Sequence, residues 1–542
     1  MGFGILEPKD ASAHVPGTTL LDVHEWAVAD SSRVLKKGTG RNSHVVLVPQ
    51  PSDDPNDPLN WPLWTRDLLL TLLLWGVVVV IGGAGPMMSP IAVPLIDDFK
   101  IGFKEFSLLS GYCLLATGAI GVFIAAGTRK YGKRPTWILS TLCAFVGCIW
   151  AAAAKSYGSF MGARILQGLS MACFESISYA FIGDLYFVHE RATRTAIVVI
   201  CYQSISNVPA LVAGTIASTI GWRWCFWLLG LFAGLNLLLI IPFGWETAYK
   251  RGTIDASDIT NEEDVARAEE LKSISITHHT EDVSSSSTTP RQSFGSRLRP
   301  IQGVYSRDSL LKLILTPFGT LVNPATIWAV ITLSFPVLWL VGLMLVIAQI
   351  FSVPPYNLNP TQLGYMWTGP IVVGFLACAV AGPVSDWSAK WFSRRNSGKY
   401  EPEFRLLLVL GMGICCSLGY YLFGYLLSQQ GSVTAISVVF GFCLGGAQFS
   451  AVCVGSYVND AYASISIEVF IIIMVIKNFL FYGFSLFINE WVELQGPQMF
   501  FYTIGGIQLA LCFVTVPLYI YGKRVRLWWS KLAFAKKLVA RD

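Results

Sequence analysis

The chain has 542 residues, of which 53% are hydrophobic and only 13% charged, where a soluble globular protein carries roughly 25% charged residues. A mean hydropathy of +0.54 and 13% aromatic content exclude a string of water-facing domains, a disordered chain and a collagen-like one. With 39 Lys and Arg against 34 Asp and Glu the formal net charge is +5, so no broad basic face is on offer to nucleic acid. This is the composition of a membrane protein.

In chain order, residues 1–65 form a polar tail with no early apolar run, so no signal peptide is expected. A bilayer-spanning helix needs ~20 mainly apolar residues. Such runs fall at about 67–92, 106–127, 134–154, 158–182, 195–220 and 224–244, and again at about 324–350, 364–384, 405–428, 432–457, 468–489 and 499–521. The sequence therefore predicts an all-α membrane protein with 12 transmembrane helices in two bundles of six, residues 66–244 and 324–521. Between them, residues 245–323 contain an acidic helix-prone piece, Asn261–Lys272, and a low-complexity tract, Ser284–Pro290, which predict a largely disordered linker. A basic tail, 522–542, closes the chain.

With both termini inside, the inner connections and C-terminal tail hold eighteen Lys and Arg against four in the outer connections. That bias places both termini and the linker in the cytoplasm. The twelve cysteines lie mostly in apolar runs without C-x-x-C spacing and are expected to be buried free thiols.

Local motifs narrow the reading. Tyr131-Gly132-Lys133-Arg134-Pro135 follows the second run, Arg164-Ile165-Leu166-Gln167-Gly168 lies in the fourth, and Asp184 with Glu190, Arg191 and Arg194 follows it. Gly382-Pro383-Val384-Ser385-Asp386 repeats the start of the loop motif in the second half. These resemble the motifs of major facilitator transporters. Asp54-Pro55-Asn56-Asp57-Pro58-Leu59-Asn60-Trp61, Gly221-Trp222-Arg223-Trp224 and Glu246-Thr247 are similar to the fungal twelve-span drug:proton antiporter-like group. Arg394-Arg395-Asn396, Glu401-Pro402-Glu403-Phe404-Arg405 and Lys477-Asn478 resemble its cation and polyamine branch. Two departures stand out: Arg129 occupies the position of an expected acidic residue, and Asn207-Val208-Pro209 with Gly214 retains only part of the antiporter motif in span 5.

The resemblance implies alternating-access transport of a small organic solute (a drug, metabolite or organic cation) coupled to protons, by a monomer. It implies the plasma membrane or, alternatively, the vacuolar membrane. It also implies a gate at the cytoplasmic helix ends made by Asp184, Arg191, Asp386 and Arg394. No phosphate-binding loop, H-E-x-x-H or G-x-S-x-G is present, so neither a cofactor nor an enzyme activity is expected. A membrane-embedded enzyme and a non-transporting sensor on the same fold remain the competing classes.

Ionisable groups deep in a bilayer are costly, ~2.5–3.5 kcal/mol on insertion scales, and usually face a cavity or a partner. Arg164, Glu175 and Lys477 are the deep ones, and all six histidines lie in polar segments. Glu175 is thus the candidate proton carrier. Arg164 stands eleven residues before it, ~20° past three full turns and ~16 Å away along a helix, which predicts one shared face at two depths. Gln167, Asn207, Trp339, Gln448, Lys477 and Asn478 are the other polar or aromatic residues expected at a substrate cavity.

Overall fold

The computed structural model describes residues 4–8, 15–20, 51–52, 54–249, 293–306, 308–396 and 398–535. The first transmembrane helix is started by a knot of polar side chains. Asp57 accepts from the Leu59 amide at 3.1 Å and the Ser52 amide at 3.0 Å, and Asn60 donates to the carbonyls of Ser52 and Asp54 at 2.9 Å. Trp61 then packs edge-on against Trp245, fixing the start of the first span against the end of the sixth.

The N-terminal half comprises span 1 (Leu63–Ala84), span 2 (Phe103–Tyr131), span 3 (Lys133–Ala153), span 4 (Tyr157–Leu185), span 5 (Val188–Gln203 continued by Val208–Thr219) and span 6 (Arg223–Phe243). The C-terminal half comprises span 7 (Pro324–Phe351), span 8 (Thr368–Arg395), span 9 (Leu408–Ser428), span 10 (Val433–Ala461), span 11 (Ser466–Ser485) and span 12 (Ile488–Cys512 continued by Thr515–Lys531). Among the described residues, eleven helices meet length and hydropathy limits for crossing a membrane. Span 4 is the twelfth: its 29 residues are long enough, but Arg164, Gln167, Glu175 and Asp184 dilute its apolar character.

The halves meet along two seams, span 2 against span 11 and span 5 against span 8 with the short helix before it, Pro360–Tyr365. Small residues permit this closeness. Gly118 faces Asn478 and the Val475 carbonyl, and Gly214 faces the Pro360 carbonyl and Gly364. Within the N-terminal half, Gly168 of span 4 sits on the Cys113 carbonyl of span 2, leaving no room for a Cβ. Gly168→Leu is therefore expected to abolish folded expression, since backbone rather than side chain must move and overpacking already costs about 1–3 kcal/mol where side chains can adjust. Size-exclusion of a fluorescent fusion checks it.

Three differences from the sequence reading have plain causes. Residues 250–292 of the expected linker lie outside the described residues, but 293–306 and 308–323 are folded rather than disordered. Arg297 lies over the rings of Trp245 and Trp61, the Tyr305 amide donates to the Lys130 carbonyl at 2.8 Å, and Leu310–Gly319 is a helix against spans 2 and 11. Its sequence, Leu-Leu-Lys-Leu-Ile-Leu, is amphipathic and not polar. Second, span 12 runs ten residues beyond the expected 521, to Lys531, because buried Lys523 and Arg526 find carboxylates there. Third, Gly496 (φ 74°) and Pro497 break the start of span 12, separating a cap helix from the span proper. All twelve cysteines are free, as expected, and eight are buried.

A candidate transport cavity between the two halves

Spans 1 and 5 are broken where they approach the molecular centre. Span 1 ends at Ala84; Gly85 and Pro86 divert the chain into a short 3-10 turn, Pro86–Met88. Span 5 is interrupted by Ile205–Asn207 just before Pro209, which has no amide hydrogen to continue the helical ladder. The two breaks touch, because Gly82 lies on the Ser206 carbonyl and the Pro209 ring. Beside them is a cavity lined from both halves by spans 1, 2, 4, 5, 7, 10 and 11. Most of its wall is apolar, for example Ile81, Leu114, Met171, Leu338, Val341 and Phe481.

Glu175, Lys477, Asn478 and Asn207 supply its polar character with Tyr202, Gln203 and three serines. Lys477 of span 11 donates to both oxygens of Glu175 on span 4, at 3.1 and 3.2 Å, and Asn478 donates to the same carboxylate at 3.3 Å. The Glu175 side chain is 3% exposed and that of Lys477 18%. A carboxylate so buried needs a partner, since an isolated charge costs several kcal/mol to desolvate. Here the partner belongs to the other half of the molecule. Asn478 Oδ1 is buried without a hydrogen-bond partner among the described residues.

Four expected cavity residues lie elsewhere. Arg164 is fully buried inside the N-terminal half, donating to Gln167 at 2.7 Å and to the Ala84 carbonyl, so it caps the broken end of span 1. A shared helix face did not put it in the same space as Glu175. Gln167 is held by Arg164 and by the Gly147 carbonyl at 3.3 Å. Trp339 donates to Gln508 at 3.1 Å and packs edge-on against Phe484, inside the C-terminal half. Gln448 is buried between the halves, reaching Ser204 at 3.4 Å, while Leu444 one turn away lines the cavity. Asn207, Lys477, Asn478 and Glu175 line the cavity.

The face that carries both termini, called the terminal face below, holds most of the ion pairs. Asp184 pairs with Lys133 at 2.5 Å and accepts from Thr247 at 3.1 Å. Arg191 caps span 4 through the carbonyls of Tyr186 and Gly183, at 3.0 and 2.9 Å. Asp386 pairs with Arg405 at 3.3 Å and not with Arg394, which is exposed and makes no ion pair among the described residues. Arg395 lies on the Trp391 ring. Arg405 holds Asp460 more closely, at 2.6 Å, and Tyr400 donates to the same carboxylate. Burial first, then the adjacent Asp460, pushes the Tyr400 hydroxyl up, so it keeps its proton and remains a donor. Because Asp460 is the less exposed partner, Asp460→Asn is expected to slow turnover about tenfold, and more than Asp386→Asn. Initial rates normalised to surface protein decide the order.

Two pairs link the halves at opposite ends of span 2. Arg129 meets Glu468 at 2.7 Å on the terminal face, and Lys104 meets Glu490 at 2.6 Å on the other. Sequence reasoning missed the first. Its signal was available: a base replaces the expected acid at 129, and an acid stands at the start of span 11.

Two helical halves packed around a central cavity, with broken helices at its wall, define a membrane transporter of small solutes working by alternating access. The chain belongs to the Major Facilitator Superfamily, whose family model matches residues 72–467; this is a family of secondary transporters, not of enzymes. It is 25% identical to an uncharacterised MFS-type transporter of Schizosaccharomyces pombe, over 97% of this chain and 95% of that one. It is 24% identical to Protein HOL1 of Saccharomyces cerevisiae, over 98% and 99% of the two chains. Among solved structures it resembles the proton:xylose symporter XylE, with a TM-score of 0.56, 13% identity and coverage of 85% of this chain and 97% of that one.

Proposed function

We propose that the protein exchanges protons for a small organic cation, with Glu175 as the group that holds either one. The observation that carries this reading is the Glu175–Lys477 pair, buried between the halves at a mostly apolar cavity. Lys477 acts as a resident counter-ion. An incoming ammonium group competes with it for Glu175 while the apolar walls take the organic body, and a proton arriving at Glu175 releases both cations. Competition for one carboxylate makes the exchange obligatory, because the site holds one cation at a time.

The positive-inside bias makes the terminal face cytoplasmic, and the working membrane is the plasma membrane. Arg129–Glu468 then closes the cytoplasmic side and Lys104–Glu490 the outer side, so each half-cycle breaks one pair and keeps the other. Asp386, Arg405 and Asp460 set the cost of opening inward.

The substrate class is tested by ligand-induced thermal stabilisation of the purified protein. The probes are tetraethylammonium, putrescine and spermidine, against glucose and benzoate as neutral and anionic controls. Cations should raise the melting temperature in the wild type and not in Glu175→Gln. Stabilisation by glucose or benzoate alone refutes a cation substrate.

A further inference from the structure

The N-terminal segment does not stay with the half that follows it. Residues 4–8 and 15–20 lie on the terminal face of the C-terminal half. The Leu6 amide donates to the Ile520 carbonyl at 2.9 Å, and Glu7 meets Lys523 at 2.8 Å. Thr19–Leu20 pairs antiparallel with Lys399–Tyr400, Thr19 opposite Tyr400 and Leu20 opposite Lys399. Gly17 has φ +83°, and a Cβ there would stand 2.7 Å from the Asp460 carbonyl oxygen. Any larger residue is excluded by conformation and by space alike.

At the centre of this contact is Arg526, whose side chain is fully buried. It donates to Glu401 at 2.7 Å and to Glu403 at 2.8 and 3.0 Å. Its remaining terminal nitrogen is satisfied by the tail, through the Pro16 carbonyl at 2.5 Å and the Thr18 hydroxyl at 3.2 Å. Thr18 in turn donates to Glu401 at 2.7 Å. Arg526 keeps Glu401 and Glu403 when the tail leaves, and the release costs the hydrogen bonds of Pro16 and Thr18 and the burial of Ile5 and Val15.

We propose that residues 4–8 and 15–20 act as an intramolecular latch, which stabilises the conformation closed to the cytosol and must leave before the cytoplasmic side opens. The route of coupling is short. The tail strand pairs with the backbone of Tyr400, whose hydroxyl bonds Asp460 and accepts from Arg405 at 2.8 Å. Arg405 also holds Ser385 at 3.0 Å and Asp386 on span 8. Span 8 packs against the first segment of span 5 across the seam between halves. Docking therefore braces, within the C-terminal half, the end of span 8 that packs against span 5 across the seam. These residues precede the N-terminal half in the chain and dock on the C-terminal half.

The test uses full-length protein carrying Ser110→Cys, a cavity-lining position, in inside-out vesicles. A membrane-impermeant maleimide is added, and labelling at residue 110 is followed by peptide mass spectrometry. Adding Gly17→Val or Thr18→Glu, which sets a carboxylate against Glu401, should speed labelling about tenfold, the change expected from losing one charge-assisted hydrogen bond. Oxidising the pair Leu20→Cys and Lys399→Cys should form a disulfide and slow labelling below the unlatched rate, reversibly with dithiothreitol. Unchanged labelling in both Gly17→Val and Thr18→Glu overturns the latch. So does a complete disulfide that leaves the labelling rate of the cavity unaffected. Failure of the disulfide to form overturns the docking itself.

Discussion

Glu175→Gln should abolish gradient-driven transport while the protein still folds and reaches the membrane. Gln keeps the shape of the side chain and its hydrogen bonding to Asn478, but can carry neither a proton nor a cation. Lys477 is then unpaired, yet at 18% exposure it retains contact with water in the cavity. The expected loss is large because the whole driving force passes through this group. One pH unit supplies ~1.4 kcal/mol per proton. A one-for-one exchange of a proton for a monovalent cation moves no net charge, so the membrane potential adds nothing and the sustained concentration ratio is about tenfold per pH unit. In the variant, accumulation of a labelled cation in proteoliposomes with an imposed pH gradient should fall to that of protein-free liposomes. Full accumulation by Glu175→Gln moves the proton site elsewhere and removes the role proposed for the cavity pair.

Glu468→Lys should abolish turnover, and adding Arg129→Glu should restore a substantial part of it. The Glu468 side chain is 2% exposed and Arg129 21%, so the substitution places two cations together in a site with little water. Breaking a buried ion pair costs on the order of 3–5 kcal/mol, which shifts a two-state equilibrium about a hundredfold or more. The swapped pair restores attraction with reversed geometry. Rates normalised to surface expression distinguish the outcomes, and an inactive swap alongside normal expression shows that orientation, not attraction, is what matters at this seam.

The membrane fold was legible because it rests on a one-dimensional property. Runs of ~20 apolar residues leave few alternatives once the backbone must satisfy itself without water. The breaks at Gly85-Pro86 and Asn207-Val208-Pro209 follow from proline, which lacks the amide hydrogen that a continuous helix needs. Of the site, Glu175, Asn207, Lys477 and Asn478 could be named, since a charge or amide deep in an apolar run is expensive enough to demand a role. Their pairing could not. Lys477 was read as a free positive charge, whereas Glu175 from 302 residues away neutralises it. Arg164 and Trp339 show the converse: depth alone does not tell a cavity wall from a helix–helix contact, and both found partners, Ala84 and Gln508, inside one half. The resemblance set Asp386 and Arg394 in one gate, but the fold brings Arg405 to Asp386. Docking of residues 15–20 on the far half left no mark in the local pattern beyond Gly17, because what they meet is assembled from residues 399–405, 460–461 and 523–526.

Solute-dependent proton movement tests the central claim most directly. Wild-type protein is reconstituted in liposomes loaded with a pH-sensitive dye, without an imposed gradient, and putrescine or tetraethylammonium is added outside. Exchange at Glu175 predicts that cation entry drives protons out, so the lumen turns alkaline at a rate that saturates with cation concentration, and that Glu175→Gln shows no response. Saturable cation entry with no change in lumenal pH would contradict the account.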